Sequence, residues 1–305
     1  MPWFRDPGVR VLTPPFDERP QMPRDNAGPD FIEALARGLD VLKCFGTRRV
    51  PMSLTDVATA SGLARPTARR IILTLESLGY VRHVPGGVVL TPRVLELGMA
   101  YTLSTGLWEI ARPHLGDLVA QTNQAASIAQ LDGADILYVA RVEVPKVVSV
   151  RIDVGTRLPA ASTALGKVLL AALDADALDA ALATPARSAI TPHRRGNTDD
   201  LKAELREIRA RGWASTDEEV AAGVRSVAAP LRDGDGRTIA AVNVTAITAE
   251  VSHARLIDEL LPLLLRAAGA ISRDYELIHS APQRMVTPVE PVYESVETVD
   301  NSFDH

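Results

Sequence analysis

Two helical patterns separated by Ser61-Gly62-Leu63 constrain this chain more than any other stretch of it. Before the break, Ser53 is placed to cap a helix whose Leu54, Val57 and Ala58 face inward. Gly62 supplies the positive φ that a tight turn between helices needs. After it, Arg65-Pro66 opens another helix, with Pro66 in the first turn, where its missing N–H costs nothing. Upstream, Ala34, Leu35, Leu39, Leu42 and Phe45 recur at helical spacing, and Gly46 is a stop signal. Downstream, Tyr80 to Leu90 reads as strand, Pro85-Gly86-Gly87 turn, strand. Three short helices and a hairpin predict a winged helix-turn-helix over residues 31–92.

The third helix carries the chemistry of that module. At about 100° per residue, Ala68, Ile71, Ile72, Leu75 and Leu78 gather on one face. Arg69, Arg70 and Leu73 fall opposite, with Arg65 and Thr67 at the N-terminal end. That half of a recognition helix reaches base edges in the major groove, where arginine pairs with guanine. Arg82 and His83 lie on the hairpin, as a wing that follows the DNA backbone or minor groove. Charge distribution agrees with this reading. Residues 31–95 carry nine basic and four acidic side chains, so a segment of +5 sits in a chain of net −5. A basic module on an acidic body suits phosphate contact, although a solvated face has the same sign.

The remaining length, in a chain of 305 residues with 46% hydrophobic composition, is enough for a second domain. No run of about eighteen apolar residues offers a membrane span. No apolar export segment precedes a cleavage site, and the single cysteine, Cys44, suits a reducing cytoplasm and reads as a core residue. Residues 1–30 hold seven prolines and read as a flexible arm; residues 280–305, with Glu290, Glu294, Glu297, Asp300 and Asp304, read as a flexible acidic tail.

A long helix is predicted from Pro92 through Leu95, Met99 and Leu103 past Trp108, with residues 93–108 as a linker. Beyond it the pattern becomes strands with segregated helices. Ser127–Leu131 and Ile136–Val142 flank Asp132-Gly133 as a hairpin, Val147–Val154 is a possible further strand, and Ser226–Leu231 and Thr238–Thr245 flank a second turn. Helices are expected over Thr163–Leu173, Ala175–Leu182, Asp199–Arg211 and His253–Asp274. This predicts an antiparallel α+β domain over residues 109–279.

Several motifs in order resemble the IclR family of bacterial regulators. LTDVATASGLARPTARRIILTLESLGYV (Leu54–Val81) and LTPRVLELG (Leu90–Gly98) are similar to that family's winged helix-turn-helix and linker. LPAASTALGKVLLA (Leu158–Ala171), RGWASTDEEVAAGVRSVAAPLRDGDG (Arg211–Gly236) and AAVNVTA (Ala240–Ala246) are similar to its effector domain. The resemblance implies a GAF-like domain whose small-molecule ligand alters binding to double-stranded operator DNA, and assembly into a homodimer or homotetramer. TARR with LTLESLGYV, and QLDGADILYVARV, look closest to regulators of protocatechuate, hydroxybenzoate and β-ketoadipate catabolism. Carried over residue by residue, the effector pocket falls on Ala164 and Leu165, on Thr216, Val224 and Ser226, and on Asn243 and Thr245. Thr216 stands where the family's small-acid sensors have an acid, and Ser226 where they have a cysteine. Hydroxyls, an amide and helix N-terminal N–H groups suit a carboxylate, and Leu165 and Val224 suit an apolar ring or chain. Arg151 and Arg157 are further candidates for a cation facing an acidic effector, though a surface ion pair accounts for either.

Catalysis is the rival reading, and the residues do not favour it. Ala161-Ser162-Thr163-Ala164-Leu165-Gly166-Lys167 lacks the first glycine of a phosphate loop, and Val168 stands where magnesium needs a hydroxyl. Asp217-Glu218-Glu219 diverge, with no histidine at ligand spacing, so neither a metal nor another cofactor is expected. A helix-turn-helix adaptor that binds only protein is the second rival, and it would need no basic recognition face.

Overall fold

The computed structural model describes residues 28, 30–45, 50–98, 106–146, 152–188, 192 and 197–280. Gly46, Met99, Leu103, Arg151 and nearly all of both tails lie outside them.

The N-terminal module is built from α1 (Glu33–Cys44), α2 (Leu54–Ser61), α3 (Arg65–Ser77) and the hairpin β1 (Val81–Val84) and β2 (Gly87–Leu90). Ser53 and Asp56 form a reciprocal capping box that fixes the start of α2. Gly62 ends that helix at φ 66°, the left-handed geometry its position demands. Val41, Phe45, Met52, Val57, Ala68, Ile72, Leu75, Val81 and Val88 share one core. Met52 also bridges to Val88, and Gly87, at φ 147°, lies against it so closely that a Cβ would come within 2.2 Å of Met52 O. Cys44 packs against the core and bonds through Sγ to Val41 O.

Two inward assignments change. Leu78 is the C-cap of α3 and is 52% exposed, because the helix ends before bringing it round to the core. On α1 the buried residue is Val41, and Leu35 and Leu39 face out with Phe31 and Ile32. The proposed long helix is also interrupted. Pro92–Val94 form a 3-10 turn, and Gly106, at φ 58°, caps a new helix α4 (Leu107–Thr122). A left-handed residue cannot sit inside a continuous right-handed helix.

The C-terminal domain is an antiparallel six-stranded sheet in the order β5-β4-β3-β8-β7-β6. Its strands are β3 (Ala125–Asp132), β4 (Asp135–Val142), β5 (Arg157–Pro159), β6 (Ala214–Asp217), β7 (Val224–Arg232) and β8 (Thr238–Ile247). Of the strand expected over Val147–Val154, residues 147–151 lie outside the described set; Ile152–Val154 are loop and turn, and the strand forms at β5. α4 and α8 (Leu261–Ser280) cover one face, meeting Ala126, Ile128, Val227, Ala229, Leu231, Val242 and Val244. The other face carries α5 (Ala164–Ala171) with α7 (Thr198–Arg211) and α6 (Ala175–Ala183). Helices therefore flank both faces of the sheet. Alternation along β7 and β8 sends Val227, Ala229, Leu231, Val242 and Val244 to the first face, and Val224 with the smaller Ser226, Ala228, Ala241, Asn243 and Thr245 to the second. Those smaller side chains leave space beneath α5.

Candidate functional site

Cross-strand register builds a polar floor on that second face. Thr216 lies opposite Ser226, and Ser226 opposite Thr245, so three hydroxyl residues stand in a row across β6, β7 and β8. Asn243 precedes Thr245 by two positions and shares its face. Its Nδ2 donates to Ser226 Oγ at 3.0 Å and to Thr245 Oγ1 at 2.9 Å, while its Oδ1 accepts from Ser127 N–H at 3.1 Å. Ser226 Oγ donates to Val244 O at 3.0 Å. Asn243 has thereby committed both amide hydrogens inside the protein, and Ser226 its only one. The hydroxyl protons of Thr216 and Thr245 are not committed in this network.

A cavity opens over this floor, with about 510 Å³ of empty space including its mouth. Tyr138, Ile152, Leu158, Thr163, Ala164, Thr216, Val220, Val224, Ser226, Asn243 and Thr245 line it. The N-terminus of α5 forms part of the wall. Thr163 caps that helix, accepting from Gly166 N at 2.9 Å, and the next two backbone N–H groups belong to Ala164 and Leu165. Those are positions an α-helix leaves without an internal acceptor. Gly166 lets the helix start sit this close to the preceding turn, since a Cβ there would lie 2.2 Å from Ala160 O.

Six of the seven residues carried over from the family therefore meet at one cavity. Leu165 does not: its side chain is fully buried in the core behind it. Arg157 is also elsewhere, paired with Asp132. Sequence reasoning missed Tyr138, Ile152, Leu158, Thr163 and Val220. Arg141 lies outside the cavity lining; its side chain is 7% exposed, donates to Ser127 Oγ at 3.0 Å and pairs with Glu143 at 3.2 Å. Tyr138 reaches this face through a register shift between Ile128 and Ala129: Ile128 pairs with Ala140, but Ala129 pairs with Tyr138. The extra residue on β4 reverses its alternation. Burial pushes the Tyr138 phenol up to about 12, against a smaller opposing pull from Arg141. It is a neutral hydroxyl at physiological pH.

The acidic triplet has structural partners. Asp217 pairs with Arg225, Glu218 accepts from Gly223 N at 2.7 Å, and Glu219 pairs with Lys167 at 2.9 Å. Lys167, buried in α5, also meets Glu204 of α7 at 2.8 Å. The described residues contain no group of three side chains able to hold a metal ion.

On the N-terminal module, Arg65, Arg69, Arg70 and Leu73 are exposed along α3, and Thr67 is half-buried at its flank. Arg82 and His83 are exposed on β1. His83 is engaged locally: its Nδ1 lies 2.7 Å from Glu76 Oε1, and that contact holds the Glu76 carboxyl below its ordinary range. The wing is thus tied to the helix beside it. No described helix is long and apolar enough to cross a membrane.

A winged helix-turn-helix joined to a domain with a small polar-floored cavity defines a DNA-binding transcriptional regulator of the ligand-sensing kind. Residues 34–85 match the IclR helix-turn-helix domain, and residues 99–273 match the C-terminal domain of the bacterial transcriptional regulator IclR. The chain belongs to the IclR family, whose members are regulators and not enzymes. It is 36% identical to the Pca regulon regulatory protein of Pseudomonas putida, over 86% of this chain and 91% of that one. A crystal structure of a transcriptional regulator from a Rhodococcus species is 45% identical and superimposes with a TM-score of 0.71, over 81% of this chain and all of that one. The inducer-binding domain of the PobR transcription factor from Acinetobacter, as a double mutant with 3-hydroxybenzoic acid, is 33% identical with a TM-score of 0.50. That match covers 54% of this chain and 97% of that domain.

Proposed function

We propose that an aromatic carboxylic acid binds in the cavity beneath α5 and sets the affinity of the winged helix-turn-helix for its operator. The observation that carries this reading is the hydrogen-bond economy of the floor. With Asn243 and Ser226 internally committed, the hydroxyls of Thr216 and Thr245 remain to donate, and the start of α5 adds backbone N–H groups and a positive dipole end. Such a set suits an anion. Ile152, Leu158, Val220 and Val224 give the apolar walls a ring needs. The PobR inducer-binding domain, solved with 3-hydroxybenzoic acid, points to the same ligand chemistry.

At the other end, Arg65, Thr67, Arg69, Arg70 and Leu73 present the face for major-groove contact, and Arg82 and His83 the wing. The exposed Phe31 and Ile32, just before α1, and Leu35 and Leu39 on it form an apolar stripe that supports a homodimer, whose paired helices would read a two-fold operator. A homotetramer is the larger alternative, and the cytoplasm is where its DNA would be met. Titration of the full chain with a panel of aromatic acids, followed by fluorescence anisotropy on operator DNA, tests the reading. At least one acid raises the melting temperature and changes the DNA affinity. A panel that does neither removes the proposal.

A further inference from the structure

Among the residues lining the cavity, Tyr138 is the aromatic one, and it is only 3% exposed. No hydrogen bond joins its hydroxyl to a described residue, and that oxygen is not among the fully buried unpaired atoms, so it is open to the cavity it lines. It belongs to β4, whereas Thr216, Ser226 and Thr245 belong to β6, β7 and β8, with β3 between the two groups. The cavity therefore has two chemically different ends. The threonine end, with the start of α5, offers hydrogen-bond donors to a carboxylate. The Tyr138 end is set in a cluster with Ile152 and Leu158.

A phenol that stays neutral both donates and accepts one hydrogen bond. A carboxylate calls for donors alone, but a hydroxyl on a ligand ring needs a partner that also accepts its proton. Tyr138 meets that need, and burial keeps it in the neutral form throughout the physiological range. We infer that Tyr138 reads a hydroxyl on the ring of the bound acid, so that the site selects hydroxylated aromatic carboxylates over unsubstituted ones. This rests on the aromatic-acid reading above and adds the substituent to it. A site that pairs a ligand hydroxyl penalises the analogue lacking it, because the buried tyrosine is then left without a partner.

Isothermal titration of wild-type protein and Tyr138→Phe with benzoate, 3-hydroxybenzoate and 4-hydroxybenzoate tests this. Wild-type protein binds at least one hydroxybenzoate about tenfold more tightly than benzoate, the order expected for one buried hydrogen bond. Tyr138→Phe abolishes that preference while leaving benzoate affinity and the melting temperature of the free protein unchanged or raised. A preference that survives the substitution overturns the inference, as does a wild-type protein that binds benzoate equally well. An equal loss for all three acids assigns Tyr138 to the wall or the carboxylate and overturns it too. If wild-type protein binds none of them, the aromatic-acid reading falls and takes this inference with it.

Discussion

Asn243 Nδ2 lies 2.9 Å from Thr245 Oγ1, two positions along the same strand, and this bond makes Asn243 a brace for the cavity floor. The same amide holds Ser226 and accepts from the Ser127 backbone. Asn243→Ala leaves several buried polar groups unpaired, and unpaired groups cost about 1–3 kcal/mol each. Chemical denaturation should show a loss of about 2–4 kcal/mol, with weaker acid binding as a consequence. A stable variant with wild-type affinity would show that the brace is dispensable.

Thr216 offers the opposite case. Its hydroxyl makes no contact in the floor network, so Thr216→Val exchanges it for a methyl of similar volume. Stability should change by less than about 1 kcal/mol, whereas acid affinity should fall by about tenfold for one lost bond to a charged group. Calorimetry and a denaturation curve on the same preparation separate the two effects. Unchanged affinity would place the carboxylate elsewhere.

The contrast between these residues shows what the sequence could reveal. Thr216, Ser226, Asn243 and Thr245 were found because they sit in recognisable motifs, but their roles depend on which proton goes where. That is set by cross-strand register, which a linear string does not state. The family motif carries Leu165 into the pocket along with Ala164, yet a helix turns neighbouring side chains about 100° apart, and only Ala164 faces the cavity. Tyr138 was hidden for a different reason. One inserted residue reverses the alternation of β4, and nothing in LYVARV marks where the insertion falls. The helices and hairpins were legible because their signals are local: the Ser53 cap, Gly62, and the turns at Asp132-Gly133 and Asp233–Gly236. The break at Gly106 was missed because the apolar spacing runs across it, and only the backbone angle reveals the stop.

Arg69 and Arg70 project from α3 with their side chains exposed, so their removal should leave the fold intact. If each pairs with a base edge, Arg69→Ala and Arg70→Ala each cost about 1–3 kcal/mol of specific binding. Anisotropy titrations on operator and scrambled duplexes would show the operator preference shrinking. Arg82→Ala should instead weaken both duplexes alike and reduce the salt dependence, as a phosphate contact does. Full operator affinity in both α3 variants would contradict the proposed docking.

Asp135 supplies a pH test. It is fully buried, and burial raises its pKa above the ordinary value of 3.8, outweighing the backbone hydrogen bonds from Arg187 and Ser188. A carboxyl whose pKa is higher folded than unfolded favours the folded state most when protonated. That advantage is complete below its unfolded pKa and is lost as pH rises through the folded one. Asp135→Asn removes the charge and keeps an acceptor for the two N–H groups. The variant should therefore gain in melting temperature relative to wild type at pH 7, and the gain should vanish towards pH 3. A gain that persists in acid would mean that charge is not the cause.

Lys167 joins three parts of the sensor domain, since its ammonium is 4% exposed and meets Glu204 of α7 and Glu219 of the loop after β6. The two carboxylates are less buried, with 35% and 26% of their side chains exposed. Removing partners from a buried charge is worse than removing the charge itself, because the remaining ion has lost both water and counter-charge. Glu204→Gln with Glu219→Gln should therefore destabilise the domain by about 3–5 kcal/mol. Lys167→Met, which fills the same space without a charge, should cost much less, because Glu204 and Glu219 are the more exposed members of the cluster and keep contact with solvent. The loop held by Glu219 carries Val220, which lines the cavity, so both variants should also weaken acid binding. Equal destabilisation by the two changes would indicate that the ammonium is hydrated in solution, and that packing alone holds the loop over the ligand.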